Sequence, residues 1–347
     1  MLTRTLLVAA TASLFALNAL AQGSLTPSGS PAATMKTLDQ IESRTPLGAV
    51  GGSTAMITIT APGSYVLQGN VTVASGNGIV IQSENVTLDL NGFTISSTTV
   101  SPAEGTGILI SANQTAATHK NVTIRNGFIR GGSTYSGGDT FSDVGFSEGI
   151  RVGYESSSVT DLNLRVSEVT VTDIYRDGIS LLGPMSSARG VVVERCSAVT
   201  CGATGIRAST VLYSTAEQCG NIGINATIAR QCTGNAVNTY GTGLIAAQAF
   251  DCFGTAFSTG ANGLVANILA SDCFGQSVLG DGLRAEIAVN CFGSTSSSSA
   301  YGMDVTGTAT NCRGNNSGGV AIRAAIAVAC TASSGTVSAP SKQLGTP

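Results

Sequence analysis

Apolar and polar positions in the C-terminal half of the chain repeat at a short, regular interval. Gly223-Ile-Asn-Ala-Thr-Ile-Ala-Arg-Gln-Cys232 and Gly243-Leu-Ile-Ala-Ala-Gln-Ala-Phe-Asp-Cys252 align without gaps. Gly263 to Cys273 follows with one extra residue, then Gly282 to Cys291, Gly302 to Cys312 and Ala321 to Cys330. The leading position recurs at 205, 223, 243, 263, 282, 302 and 321, a period of roughly 18 to 20 residues. Each repeat opens with Gly, then Ile, Leu or Met, then a variable residue, then Ala or Val, alternating inward and outward as a strand does. A second short strand ends at the Cys. A Phe-Gly or similar turn follows at Phe253-Gly254, Phe274-Gly275 and Phe292-Gly293, and a polar turn leads to the next start.

One such coil cannot bury its own apolar positions; stacking on its neighbours does. Successive coils then sit about 4.8 Å apart in parallel, in-register ladders. A helical solenoid does not fit, because each apolar run is about four residues long and ends at Gly. Leucine-rich repeats share the period, but their Leu-x-x-Leu-x-Leu and Asn signature is missing.

The N-terminal half has the same grammar with looser spacing. Asn85-Val-Thr-Leu-Asp-Leu-Asn-Gly-Phe-Thr-Ile95 is echoed by Asn121-Val-Thr-Ile-Arg-Asn-Gly-Phe-Ile129, and further starts occur at Gly78, Gly107, Gly149 and Gly178. The larger intervals predict longer coils or projecting loops, preceded by an entry strand at Ala61–Gln68. Met35–Arg44 reads as a short amphipathic helix, with Leu38 and Ile41 on one face, capping the open end of the stack. The expected organisation is a signal peptide at 1–21, a linker and cap at 22–52, a β-helix at 53–337 and a C-terminal tail at 338–347.

Pro62-Gly-Ser-Tyr-Val-Leu, Val86-Thr-Leu-Asp-Leu-Asn-Gly-Phe and Val122-Thr-Ile-Arg-Asn-Gly resemble the opening of secreted bacterial right-handed β-helix repeat proteins of the pectin-lyase-like group. The resemblance covers about residues 53 to 335. It implies an all-β fold, a single-stranded right-handed parallel β-helix with the short N-terminal capping helix. It leaves activity open, since the group holds lyases, hydrolases, depolymerases and members with no known activity.

Composition agrees with narrow coils. Only 11% of the 347 residues are charged and 5% aromatic, Trp is absent and Gly numbers 44, so few large side chains exist to fill a globular interior. A net charge of -3 with scattered basic residues argues against nucleic acid as a partner. Arg4, the apolar run Leu6 to Leu20 and Ala19-Leu20-Ala21 before Gln22 form a secretory pattern. No later segment is apolar enough to span a bilayer. The expected location is therefore secreted, periplasmic or cell-surface; the oligomeric state is left open.

All nine cysteines lie between 196 and 330, mostly at one place in successive coils. Parallel Cβ vectors about 4.8 Å apart exceed the roughly 3.5–4.5 Å a disulfide needs, so a column of buried thiols is expected. Cys196 with Cys201 or Cys219 is the expected exception. Cys-x-x-Cys is absent and the one His, His119, is remote, which disfavours metal binding or a catalytic thiol.

For chemistry, the outward residue of each coil start forms a column: Val80, Leu109, Arg151, Ser180, Arg207, Asn225, Ile245, Val265, Arg284, Asp304 and Arg323. Glycoside hydrolysis normally needs two carboxylates, and this column supplies one, in an Arg284-Asp304-Arg323 ladder. Arg151 and Arg207 could bind a carboxylate, but no acidic cluster at recognisable spacing accompanies them. The Asn-Thr-Asp, Asp-Asp, Gly-His-Gly and Arg-Ile-Lys motifs of polygalacturonases are missing. The remaining candidate is the insertion at 131–158, with Tyr135, Asp139, Asp143, Glu148, Tyr154 and Glu155, beside Arg151 and the run Asp173, Tyr175, Arg176 and Asp177. Aromatic rings with carboxylates suit a glycan, and carboxylates alone would suit calcium; no other cofactor is indicated. Two readings result: a non-catalytic extracellular protein that binds polysaccharide or serves as a structural module, and a polysaccharide lyase or hydrolase.

Overall fold

In the computed structural model, residues 44–111, 118–153, 160–182 and 190–343 are described. The signal, the linker, the capping helix apart from Arg44, and Tyr154 and Glu155 lie outside them, as does the side chain of His119. The described chain is an all-β parallel β-helix without helices, and only the hairpin of Tyr135–Gly137 with Thr140–Phe141 pairs antiparallel. No helix is long and apolar enough to cross a membrane among the described residues.

Each coil contributes to three parallel sheets, here A, B and C. Sheet A carries the glycine-led starts. Its inward column runs in register through Ile57, Ile79, Ile108, Ile150, Ile179, Ile206, Ile224, Leu244, Leu264, Leu283, Met303, Ile322 and Val337. These are large aliphatic side chains along nearly the whole stack. The outward column from Val80 to Arg323 is in register as expected from the sequence. Pairing extends past the expected limits, to Thr45–Leu47 at one end and Ser341–Gln343 at the other.

The other two inward columns taper. On sheet B the register reads Tyr65, Leu88, Ile124, Val166, Val193, Val211, then Ala229, Ala249, Ala270, Ala288, Ala309 and Ala327. On sheet C it reads Val71, Ile95, Ile129, Val171, Ala198, Ala216, then Gly234, Gly254, Gly275, Gly293 and Gly314. The Phe-Gly pairs that read as turns in the sequence are thus the opening of a third strand, with Phe outward and Gly inward. The reason is steric. A Cβ added to Gly254 or Gly275 would lie 2.4 or 2.2 Å from the carbonyl oxygen of Gly263 or Gly282 on sheet A. Sheets A and C touch backbone to backbone there, and only glycine fits.

Sheet B turns into sheet C through one left-handed residue per coil. Arg195, Tyr213, Gln231, Asp251, Asp272, Asn290, Asn311 and Ala329 all have φ between 49 and 55°. Polar members of this column bond between coils: Asn290 Nδ2 donates to Asp272 Oδ1 at 3.1 Å, and Asn311 Nδ2 to Asn290 Oδ1 at 2.8 Å. The next residue is Cys in nearly every coil. Its thiol donates back to the carbonyl two residues earlier, as from Cys232 to Arg230 and Cys252 to Phe250 at 3.1 Å and from Cys273 to Ser271 at 3.2 Å. That carbonyl also accepts a backbone N–H from a neighbouring coil, so both its lone pairs are used. Ser214 occupies the same position and makes the same bond, to Leu212 at 2.7 Å. A small, core-compatible side chain with one donor is what the corner requires, and cysteine meets it.

Candidate functional site

All nine cysteines are free and buried. Cys232, Cys252, Cys273, Cys291, Cys312 and Cys330 hold the same corner position in successive coils, each thiol donating to a backbone carbonyl. Cys196 belongs to this column, separated by Ser214, whose hydroxyl accepts the Cys196 N–H. The exception expected at Cys196 does not occur: Cys196 stays in the column and is not bridged to Cys201 or Cys219. Cys201 pairs in register with Cys219 on sheet C instead, because both lie five residues past the corner. The hydrogen bond to Cys219, together with burial, holds the Cys201 thiol well above the ordinary range. Burial pushes Cys196 up to about 12. Thiols buried and protonated in this way are packing groups, not nucleophiles.

The nine candidate residues do not converge. Glu148 and Arg151 line one open cleft of about 430 Å³ on the outward face of sheet A, together with Asn77, Glu104, Thr106, Ser111 and Ser147. Arg151 Nη1 donates to both carboxylate oxygens of Glu148, at 3.0 and 2.8 Å, and Thr106 Oγ1 donates to Glu148 Oε2 at 3.4 Å. The Glu148 side chain is 12% exposed against 42% for Arg151, so the acid forms the floor and the guanidinium the wall. Asp143 supports this cleft from behind by accepting the Ala103 N–H at 2.8 Å, which places Glu104 at the rim.

Asp139, Tyr175 and Arg176 line a second cleft, of about 390 Å³, with Thr140, Phe141, Gly202 and Ala203. The hairpin at 135–141 forms one wall. Its tip is tied down where Asp139, at φ 67°, accepts the Thr239 N–H at 2.9 Å. Tyr135 packs on Phe141 with ring centroids 4.9 Å apart and is a prop for this wall. Asp173 is paired with Arg130 at 3.2 Å, and Asp177 accepts the Thr204 N–H at 2.9 Å. Among the described residues, no group of three or more His, Cys, Asp or Glu side chains converges as a cation would require.

Glu104 is the functional-looking residue that sequence reasoning missed. A coil of 42 residues brings it to the cleft that Glu148 lines, and nothing in its local sequence marks it. The Arg284-Asp304-Arg323 ladder lies as expected. Arg323 grips Asp304 with two bonds of 2.7 and 2.6 Å, stacks on Tyr301 at 4.0 Å, and Arg284 approaches Asp304 at 3.8 Å. These residues border a shallow third cleft of about 220 Å³ that includes Val265, Asn267, Arg284, Glu286, Asp304 and Thr306.

No family model and no curated protein matches the sequence. Among solved structures, the chain is similar to the crystal structure of the native GH136 lacto-N-biosidase from Eubacterium ramulus, at 10% identity and a TM-score of 0.25. The alignment covers 92% of this chain and 66% of that one, just under two thirds of its length.

Proposed function

We propose that this protein is an exported, non-catalytic glycan-binding β-helix, with the outward face of sheet A as its binding surface and the Arg151 cleft as its principal site. The observation that carries this reading is the Arg151–Glu148 pair. The cleft offers hydroxyls, an amide and two carboxylates in an open trough, groups suited to a polyhydroxylated chain. Yet its floor carboxylate already accepts two bonds from Arg151 and one from Thr106. A general acid has to present a carboxyl oxygen to the leaving group, and both oxygens of Glu148 are engaged by Arg151. Arg151 Nη1 is in turn committed to Glu148. Glu104, Glu148 and Arg151 sum to one negative charge, which favours neutral or amino-bearing sugars in this cleft. Export rests on the N-terminal pattern described above.

A second reading has one observation in its favour: Glu104 and Glu148 line the same trough, and a hydrolase could use such a pair. One experiment separates the two. The purified chain is offered neutral, amino-bearing and acidic oligosaccharides, with binding followed by calorimetry and turnover by new reducing ends and by ultraviolet absorbance of unsaturated uronates. Binding without turnover, weakened tenfold or more by Arg151→Ala, is the expected result. Turnover abolished by Glu148→Gln would replace this proposal with the hydrolase.

A further inference from the structure

The outward column of sheet A carries four arginines, and three of them have acidic partners. The repeat places that partner three positions before the arginine in two cases: Glu148 before Arg151, at 2.8 Å, and Asp281 before Arg284, at 3.5 Å. Arg323 is held by Asp304 on the neighbouring coil. Arg207 differs. Three positions before it stands Thr204, whose hydroxyl accepts from Arg207 Nη2 at 3.3 Å. The nearest acid in the equivalent place one coil earlier, Asp177, is turned to the Thr204 N–H. Among the described residues no carboxylate lies within ion-pair distance of Arg207, and its Nε is buried without a hydrogen-bond partner.

An orphaned buried donor on a cation is a costly arrangement, and it is relieved when the group finds an acceptor. Arg207 sits between Ser180 and Asn225 on the outward face, in register with both. A change of rotamer would turn the guanidinium edge toward the surface, where Asn225 flanks it, Ser180 being buried. We infer that Arg207 is a binding site for an oxyanion, a carboxylate or sulfate group carried by the ligand, which takes the place of the acid missing at position 204. It lies two coils from Arg151, about 10 Å along the stack. The inference rests on the glycan-face reading only for the identity of the molecule that carries the anion.

The test uses the full chain and two probes, sodium sulfate and sodium acetate, titrated at constant ionic strength and followed by calorimetry. One saturable anion site is expected. Its affinity falls at least tenfold in Arg207→Gln and in Thr204→Glu, where an internal carboxylate occupies the guanidinium, and stays within twofold in Arg313→Gln on sheet C. Circular dichroism and melting establish that each variant is folded; if Thr204→Glu is not, Arg207→Gln decides. The stronger of the two probes identifies the oxyanion. Absence of saturable binding, or equal binding by Arg207→Gln, overturns the inference. A further arm compares neutral with sulfated and uronate-bearing oligosaccharides. If sulfate binds at Arg207 while no oligosaccharide binds, the glycan reading falls and the anion site stands; if neutral oligosaccharides bind and neither probe does, the reverse holds.

Discussion

The first coils and the last coils solve the same packing problem in opposite ways. In the N-terminal half the coils reach 42 residues, and all three inward columns carry large side chains, Ile, Val or Leu with Tyr65 at the start of sheet B. Near the C-terminus they are mostly 18 to 21 residues, and only sheet A keeps large aliphatics while sheets B and C carry Ala and Gly. A wide coil buries more apolar area, and its longer connections form the cleft at Glu104, Glu148 and Arg151. A narrow coil gains instead from close backbone approach and repeated corner bonds, and its cleft at Arg284 and Asp304 is smaller, about 220 Å³. The candidate site accordingly sits where the coils are wide. Coils with the same inward Ile run from 22 residues, Ile57 to Ile79, to 42, Ile108 to Ile150, so the inserted connections set coil length and the cleft follows from them.

The sharpest way to break this comparison is to enlarge a side chain where sheets A and C touch. Gly275→Val should prevent folding, since even its Cβ would lie 2.2 Å from the Gly282 oxygen; loss of the cooperative urea transition is the measurement, and a folded variant would show that the narrow coils can spread. In the wide half the opposite change matters: Ile124→Ala should cost about 3 kcal/mol through lost burial and the cavity left behind, read from the shift in urea midpoint. The corner column is more forgiving. Cys273→Ser should cost less than about 1 kcal/mol, because Ser214 makes the same bond, whereas Cys273→Val loses the donor and adds bulk, costing about 1–3 kcal/mol. Nine thiols should titrate in denaturant and almost none in the folded chain.

The smallest effect is a pH dependence. Burial, and the neighbouring charge of Asp304, raise the Asp281 carboxyl above its ordinary value. The folded state therefore holds this proton more tightly than the unfolded chain. Its contribution to stability is fully present below the ordinary carboxylate range and is lost as pH rises from there through the raised value. Asp281→Asn should remove that component, so the difference in stability between the variant and the parent, followed by urea unfolding across this window, should move in the variant's favour as pH rises.

Much of this architecture is legible in the chain, for a physical reason. A stacked coil repeats its environment, so Gly243, Gly263 and Gly282 are forced to the same residue by the same contact, and periodicity exposes it. The outward column from Val80 to Arg323 could be written down for that reason. The third strand was less legible, because Phe-Gly is equally good turn chemistry, and only the contact of Gly254 with Gly263 shows the glycine to be inward. The set from Tyr135 to Asp177 reads as one cluster by proximity along the chain, yet it divides between two clefts and several supporting bonds. Proximity in sequence does not imply convergence when a coil closes between the residues.

The order of residues alone settled the parallel stack, the inward and outward columns of sheet A and the packed column of thiols, because each depends on contacts repeated once per coil. Tertiary structure alone decided that Glu104 and Glu148 line one cleft, that Asp139 reaches Thr239, and that Arg207 is left, among the described residues, without the acid its counterparts possess. Those are single contacts, made once, between segments whose separation is set by how many residues each coil needs to close. No repeated pattern records them.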